Sequence, residues 1–195
     1  AIAKDIIATN LHVISDASSA YARLVSKKKK HAILGVLFKD KKNDLALLKV
    51  DSNSSPILTL STSYNVGDEV FSVGNPKGLE GTFASGIISG LRKFKGKNLI
   101  QITAPISSGS SGGPIIDKNG LVVGVAVSSL DEGQNLNFAV PSSYLKTLLK
   151  SPKRSLSGFR PDKRKSPRST NGIVGASKNK AWIQTTYLAE LFRGG

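Results

Sequence analysis

The sequence predicts an all-β fold of the sandwich or barrel type over residues 1–150, and three observations carry that prediction. Short runs rich in Val, Ile, Leu, Thr and Phe recur along this stretch, each bounded by Gly, Pro, Asn, Asp or Lys clusters. Helical patterns do not alternate with these runs, which argues against a parallel sheet with crossover helices. Cysteine is absent, so no disulfide framework stands in for a packed core and no thiolate catalyst or Cys-ligated metal is available.

Nine runs read as strands: Asp5–Thr9, Ala20–Val25, Ala32–Lys39, Leu45–Val50, Glu69–Val73, Phe83–Leu91, Leu99–Ala104, Leu121–Ser128 and Leu136–Val140. Pro114–Ile116 joins Leu121 through Lys118-Asn119-Gly120, and Asn-Gly favours a type I′ hairpin. Gly86 and Gly90 fit bulge or close-packing positions better than a phosphate loop. Pro141–Lys150 has a Pro/Ser start, apolar residues at helical spacing and lysines near its end, so it is expected to be a closing helix. A second short helix is expected after Ser15, over Asp16–Ala20.

Composition narrows the partners. The 28 Lys and Arg outnumber 13 Asp and Glu, for a net charge of +15. Residues 151–172 are basic and rich in Pro and Ser, which predicts a disordered linker. Residues 173–195 form a tail in which Ala181–Phe192 regains helical spacing through Trp182, Tyr187, Leu188, Leu191 and Phe192. The basic tail suggests weak contact with an anionic polymer, against the alternative of a linker kept extended by its charge. No run approaches the length of a membrane span. Two histidines, His12 and His31, leave little for a His-based metal site, and no metal or other cofactor is expected. His31 follows Lys27–Lys30 and reads as a surface residue beside a solvated charge run, the lysines themselves forming a loop tip between strands.

The segment Gly109-Ser110-Ser111-Gly112-Gly113-Pro114 carries the most chemistry. A serine among glycines can sit on a tight turn with backbone N–H groups converging beside it, as acyl transfer requires. Taken alone, the string equally fits a surface turn or an anion nest. It also matches the G-x-S-x-G nucleophile elbow, but that arrangement places acid and histidine after the serine. Here His12 and Asp44 both precede Ser111. The order His, Asp, Ser fits instead the chymotrypsin arrangement, with a base that activates the serine and a carboxylate that orients the base.

Several blocks in series then resemble the HtrA/Deg family of trypsin-like serine proteases. They are Thr9-Asn10-Leu11-His12-Val13, Asn43–Val50, Gly67-Asp68-Glu69-Val70, Val73-Gly74-Asn75-Pro76, Thr82–Gly90, Gly109–Pro114 and Asn135–Pro141. The resemblance covers roughly residues 1–150. It implies two perpendicular six-stranded antiparallel β-barrels of the chymotrypsin/trypsin type, over 1–77 and 78–150, with the active site between them. It implies endopeptidase activity on unfolded or misfolded polypeptides. Ser111 would be the nucleophile, His12 the general base and then acid, and Asp44 the residue that orients His12. The N–H groups of Gly109 and Ser111 would form the oxyanion hole. Substrate would lie along Ala126, Val127 and Ser128, with Ser107 near the specificity pocket, and a small aliphatic residue is expected before the scissile bond. Family habit also implies trimers and a periplasmic or extracytoplasmic setting.

The sequence departs from the family pattern in places. Ser110 stands where Asn or Asp is usual before the nucleophile. The chain starts where the family's second strand starts, so the first barrel is expected to be shortened at its N-terminus and the chain to be a processed form or excised piece. An alternative reading is a protease-like module that holds peptides or polyanions with weak or no catalysis.

Overall fold

The computed structural model describes residues 1–17, 19–24, 30–51, 56–74, 82–106, 109–127, 136–151, 156–158 and 180–185. Among these, the first lobe contains β1 (Ile6–Asn10), a single helical turn α1 (Leu11–Ile14), β2 (Ser19–Leu24), β3 (Lys30–Asp40) and β4 (Leu45–Val50). The second contains β5 (Glu69–Gly74), β6 (Thr82–Phe94), β7 (Lys97–Ile102), β8 (Pro114–Asp117), β9 (Val122–Val127), β10 (Asn137–Pro141) and the helix α2 (Ser142–Lys150). A last strand, β11 (Lys180–Thr185), returns to the first lobe.

The all-β expectation holds, and the two lobes differ in closure. The second is a closed barrel in the order β10-β7-β6-β5-β8-β9. The first is an open five-stranded sheet in the order β1-β4-β3-β2-β11. The barrel encloses a core of Val70, Ile88, Ile100, Ile102, Ile115 and Val123, and the sheet packs Ile7, Val36, Leu48 and Val50. A further apolar cluster joins the lobes: Ile6, Leu45 and Leu47 meet Leu99, Val125, Phe138 and Leu145 of α2. Burial on this scale, about 25 cal/mol per Å² of apolar surface, is what fixes one lobe against the other.

Five expectations are corrected. The division of the lobes does not fall at residue 77, because β5 pairs with both β6 and β8 inside the barrel. The short helix is not Asp16–Ala20. It lies one turn earlier and carries His12, with Asn10 extended at its start and Ser15 closing it through its hydroxyl to the Leu11 carbonyl at 2.9 Å. Ser19–Leu24 is free to be a strand because it pairs with β3 on one side and β11 on the other.

The Asn119-Gly120 turn is not type I′. Only Gly120 has positive φ, and its N–H donates to the Asp117 carbonyl at 3.0 Å while Asp117 Oδ1 accepts from Asn119 and Leu121. The aspartate side chain captures the ordinary turn, and a register shift in the β8–β9 pair takes up the difference. A turn with both central residues at positive φ occurs instead at Lys95-Gly96, between β6 and β7.

The linker and tail are corrected where they are described. Ser157 forms an antiparallel bridge with Val36, its N–H and C=O bonded at 3.1 and 2.9 Å. Lys180–Thr185 is a strand parallel to β2 rather than the start of a helix. Its Trp-Ile-Gln-Thr run suits an extended chain, and the edge of β2 supplies the hydrogen-bond partners. Tyr187, Leu188, Leu191 and Phe192, the rest of that expected helix, lie outside the described residues, as do Lys27–Lys29. Gly86 and Gly90 are as expected: a Cβ at Gly86 would collide with the Ala104 backbone, and the β6–β7 register shifts between Ile88 and Gly90.

Candidate active site

The pairing of β1 with β4 ends at Asn10 and Leu45, so the residues after one strand and before the other meet at the same end of the sheet. There the Asp44 carbonyl accepts two hydrogen bonds, from the Leu11 N–H at 3.0 Å and from Asn10 Nδ2 at 3.0 Å. Asn10 is fully buried. Asp44 itself has φ 55, a left-handed conformation that aspartate tolerates better than most side chains. That backbone turn sends its carboxylate back over α1. Oδ1 accepts from the His12 backbone N–H at 2.9 Å, and Oδ2 lies 2.6 Å from His12 Nδ1.

This geometry selects a tautomer. A carboxylate offers only acceptors, so Nδ1 carries the hydrogen, and Nε2 is left with its lone pair. The His12 side chain is about half exposed and Asp44 about a quarter, which leaves the imidazole accessible while its partner is sheltered. The β3–β4 turn is braced from below. Asp40 accepts from the Asn43 N–H at 3.0 Å through one oxygen and from Asn43 Nδ2 at 2.7 Å through the other. Asn43 is buried, so this pair fixes the residue just before Asp44.

The serine loop is built from the other lobe. The Gly113 N–H donates to the Ser110 carbonyl at 3.0 Å, which closes a tight loop around Ser111. The loop is then pinned to β9: the Gly112 N–H donates to the Ala126 carbonyl at 3.0 Å, and the Ala126 N–H donates to the Gly113 carbonyl at 2.8 Å. Gly109 and Gly112 have φ 98 and 84. Ser110, the departure from the family pattern, is buried against Gly74, where a Cβ would come within 2.6 Å of its Oγ. Its small side chain fills that space, and partly exposed Ser111 follows it.

Gly112 joins the halves. A Cβ there would overlap Thr9 Oγ1 and stand 3.2 Å from the Asn10 backbone nitrogen. The loop therefore abuts the last residues of β1, immediately before the turn that carries His12. His12, Asp44 and the loop holding Ser111 and Gly109 all gather at the junction of the lobes.

The residues expected to bind substrate divide differently. Ala126 is buried and has both main-chain groups committed to the loop, so it supports the serine segment. Val127 is partly buried and pairs with Phe138 of β10. Ser107 and Ser128 lie outside the described residues. Asn10, Asp40 and Asn43 were not anticipated. Asp40-Lys41-Lys42-Asn43 is an Asx-type turn pattern, and that signal could have found the brace. Among the described residues no group of three or more His, Asp or Glu side chains is placed to hold a metal, and no helix is long and apolar enough to cross a membrane.

Comparison with known proteins adds the following. The family model for the trypsin-like peptidase domain matches residues 1–125. The chain is 36% identical over 158 residues to a probable periplasmic serine endoprotease DegP-like of Chlamydia trachomatis, covering 73% of this chain and 30% of that protein. It is 36% identical over 157 residues to periplasmic serine endoprotease DegP of Salmonella typhimurium, covering 75% of this chain and 33% of that protein. The chain thus spans about a third of the length of these relatives. The crystal structure of the serine endoprotease from Yersinia pestis superposes with a TM-score of 0.65 at 28% identity, covering 78% of this chain and 57% of that one.

Proposed function

We propose, from the premise that this chain belongs to the trypsin-like peptidase family and resembles its HtrA/Deg members, that it is a serine endopeptidase acting on unfolded or misfolded polypeptides. The observation that carries the proposal is the two-point hold of Asp44 on His12, backbone and ring together, beside the loop that bears Ser111. In this reading His12 Nε2 takes the Ser111 hydroxyl proton as the oxygen attacks a peptide carbonyl. The carbonyl π bond opens and its oxygen gains the electron pair. The N–H groups of Gly109 and Ser111 receive that oxyanion, and loss of one such donor costs about 10²–10³ in rate. Collapse breaks the C–N bond, and His12 returns its proton to the leaving amine. Water then repeats the sequence on the acyl-enzyme. Asp44 holds the imidazole in the required tautomer and stabilises it while charged.

Substrate would run along the C-terminal end of β9, past Ala126 toward Val127 and Ser128. The segment carries small or apolar residues and no acid placed for a basic side chain, so a small aliphatic residue is proposed before the cleaved bond.

The test is Ser111→Ala with casein as substrate and a fluorophosphonate probe for labelling. Cleavage is expected to fall by about 10⁶-fold, labelling to vanish and the circular dichroism spectrum to stay as it was. Unchanged turnover overturns the reading. Peptide binding by a wild-type chain that neither labels nor cleaves would favour the non-catalytic module.

A further inference from the structure

The β6–β7 hairpin presents a combination that the proposed catalysis does not use. Half of the exposed large apolar side chains among the described residues lie on β6: Phe83, Ile87, Leu91 and Phe94. At the far end of that strand the apolar residues are interleaved with cations. Leu91 is 51% exposed and Phe94 is 37% exposed, and Arg92, Lys93, Lys95 and Lys97 stand between and beside them. From Thr82 to Ile116 the chain has no acidic residue to neutralise them.

The backbone makes this tip a defined feature. Lys93 pairs with Asn98 and Phe94 with Lys97, and Lys95-Gly96 closes the turn with φ 47 and 73. Partners in an antiparallel pair share a face, so Phe94 and Lys97 project together. Lys95 Nζ sits 5.0 Å from the centroid of the Phe94 ring. Arg92 is held along the strand by Nε to Gln101 at 2.9 Å. Side chains alternate along this regularly paired stretch, so Leu91 with Lys93 and Phe94 with Arg92 and Lys97 lie on opposite faces, and the hairpin end carries an exposed apolar group beside cations on each face.

We infer that this hairpin is a docking surface for an anionic lipid bilayer. Charge complementarity alone would admit any polyanion. Leu91 and Phe94 decide between them: a sulfated polymer satisfies the cations and leaves both apolar groups in water, and a nucleic acid can stack a base on Phe94 but gives the aliphatic Leu91 nothing. The interface of an anionic bilayer serves both, phosphates for the lysines and the acyl boundary for the apolar side chains. The contact is peripheral, with the hairpin tip at headgroup depth.

The experiment is co-sedimentation of the full chain with vesicles of phosphatidylglycerol in phosphatidylcholine, against phosphatidylcholine alone, over a range of salt. Binding is expected only with the anionic lipid and is expected to weaken steeply as salt rises. Each lysine removed at the surface weakens binding about fivefold, so Lys93→Gln/Lys95→Gln/Lys97→Gln is expected to lose on the order of 10² in affinity. The scattered control Lys39→Gln/Lys118→Gln/Lys150→Gln removes equal charge and is expected to lose far less. Phe94→Ser is expected to cost about tenfold, with the salt dependence unchanged. Equal losses in the hairpin and control triples overturn the inference, because general charge then accounts for binding. An unaltered affinity in Phe94→Ser, or capture by heparin without vesicle binding, overturns the lipid assignment and transfers the surface to a soluble polyanion.

Discussion

The two lobes hold their share of the candidate site in opposite ways. The second lobe is a closed barrel, and its serine loop is an extension of the ladder: Gly112 and Gly113 bond to Ala126 as if β8 began two residues early. The first lobe is an open sheet, and its histidine and aspartate owe nothing to closure. They are set by the β1–β4 register, a left-handed Asp44 and the Asp40–Asn43 brace. An open sheet leaves strand edges that a barrel abolishes. The comparison teaches that placement here is local. The geometry of the His12–Asp44 pair is complete within β1, α1, the β3–β4 turn and β4, on the side of the sheet away from β2 and β11.

That contrast can be tested by breaking each device in turn. Asp44→Asn should have the largest effect of the three, about 10⁴ in kcat, because the amide favours the other imidazole tautomer. Asparagine also tolerates the left-handed backbone, so the thermal melt should barely move; a large fall in Tm would mean that the carboxylate is chiefly structural. Gly112→Ala strikes the barrel's loop at its contact with Thr9. It should cost about 10² in kcat/KM through displacement of Ser111. Gly96 also has positive φ but open space around it, so Gly96→Ala should lower stability by about 1 kcal/mol and leave peptidase kinetics unchanged. Equal kinetic losses in these two variants would show that backbone strain, not the contact between lobes, is what matters at 112.

Of the three devices that hold the site, the Asp40 brace should matter least: Asp40→Ala is expected to cost about tenfold in kcat with KM unchanged. Asp40→Asn keeps an acceptor for the Asn43 N–H and should recover part of that loss. If both variants lower Tm alike and neither changes kcat, the brace supports the fold and does not position Asp44.

Much of this was legible from the chain, and the reasons are local. Leu45–Val50 was read to the residue because a nearly continuous apolar run between Asn43-Asp44 and Asp51 admits one interpretation. His12, Asp44 and Ser111 were singled out as candidates by their order and by the glycines around the serine. What was hidden depended on distant partners. Glu69–Val73 was seen as a strand, but its allegiance to the barrel is decided by β6 and β8, which come later. Lys180–Thr185 follows the edge of β2, far away in sequence, and not its own helical spacing. The Lys95-Gly96 turn was missed because lysine at positive φ has no compositional signal, while Asn119-Gly120 carries that signal and was bent otherwise by Asp117. Ala126 was expected beside substrate from the family resemblance alone, and the bonds of its main-chain groups to Gly112 and Gly113 have no signature in the sequence.

The absent side chain of Gly112 has a mechanical meaning. Where Thr9 meets residue 112 only the short, branched threonine side chain stands between the lobes, so that point works as a pivot of very little length. A rocking of the first lobe on the barrel, from heat, load or a bulky substrate, reaches Ser111 without a spring to absorb it. Any agent that levers the lobes apart should therefore act as a brake on turnover before it acts as a denaturant.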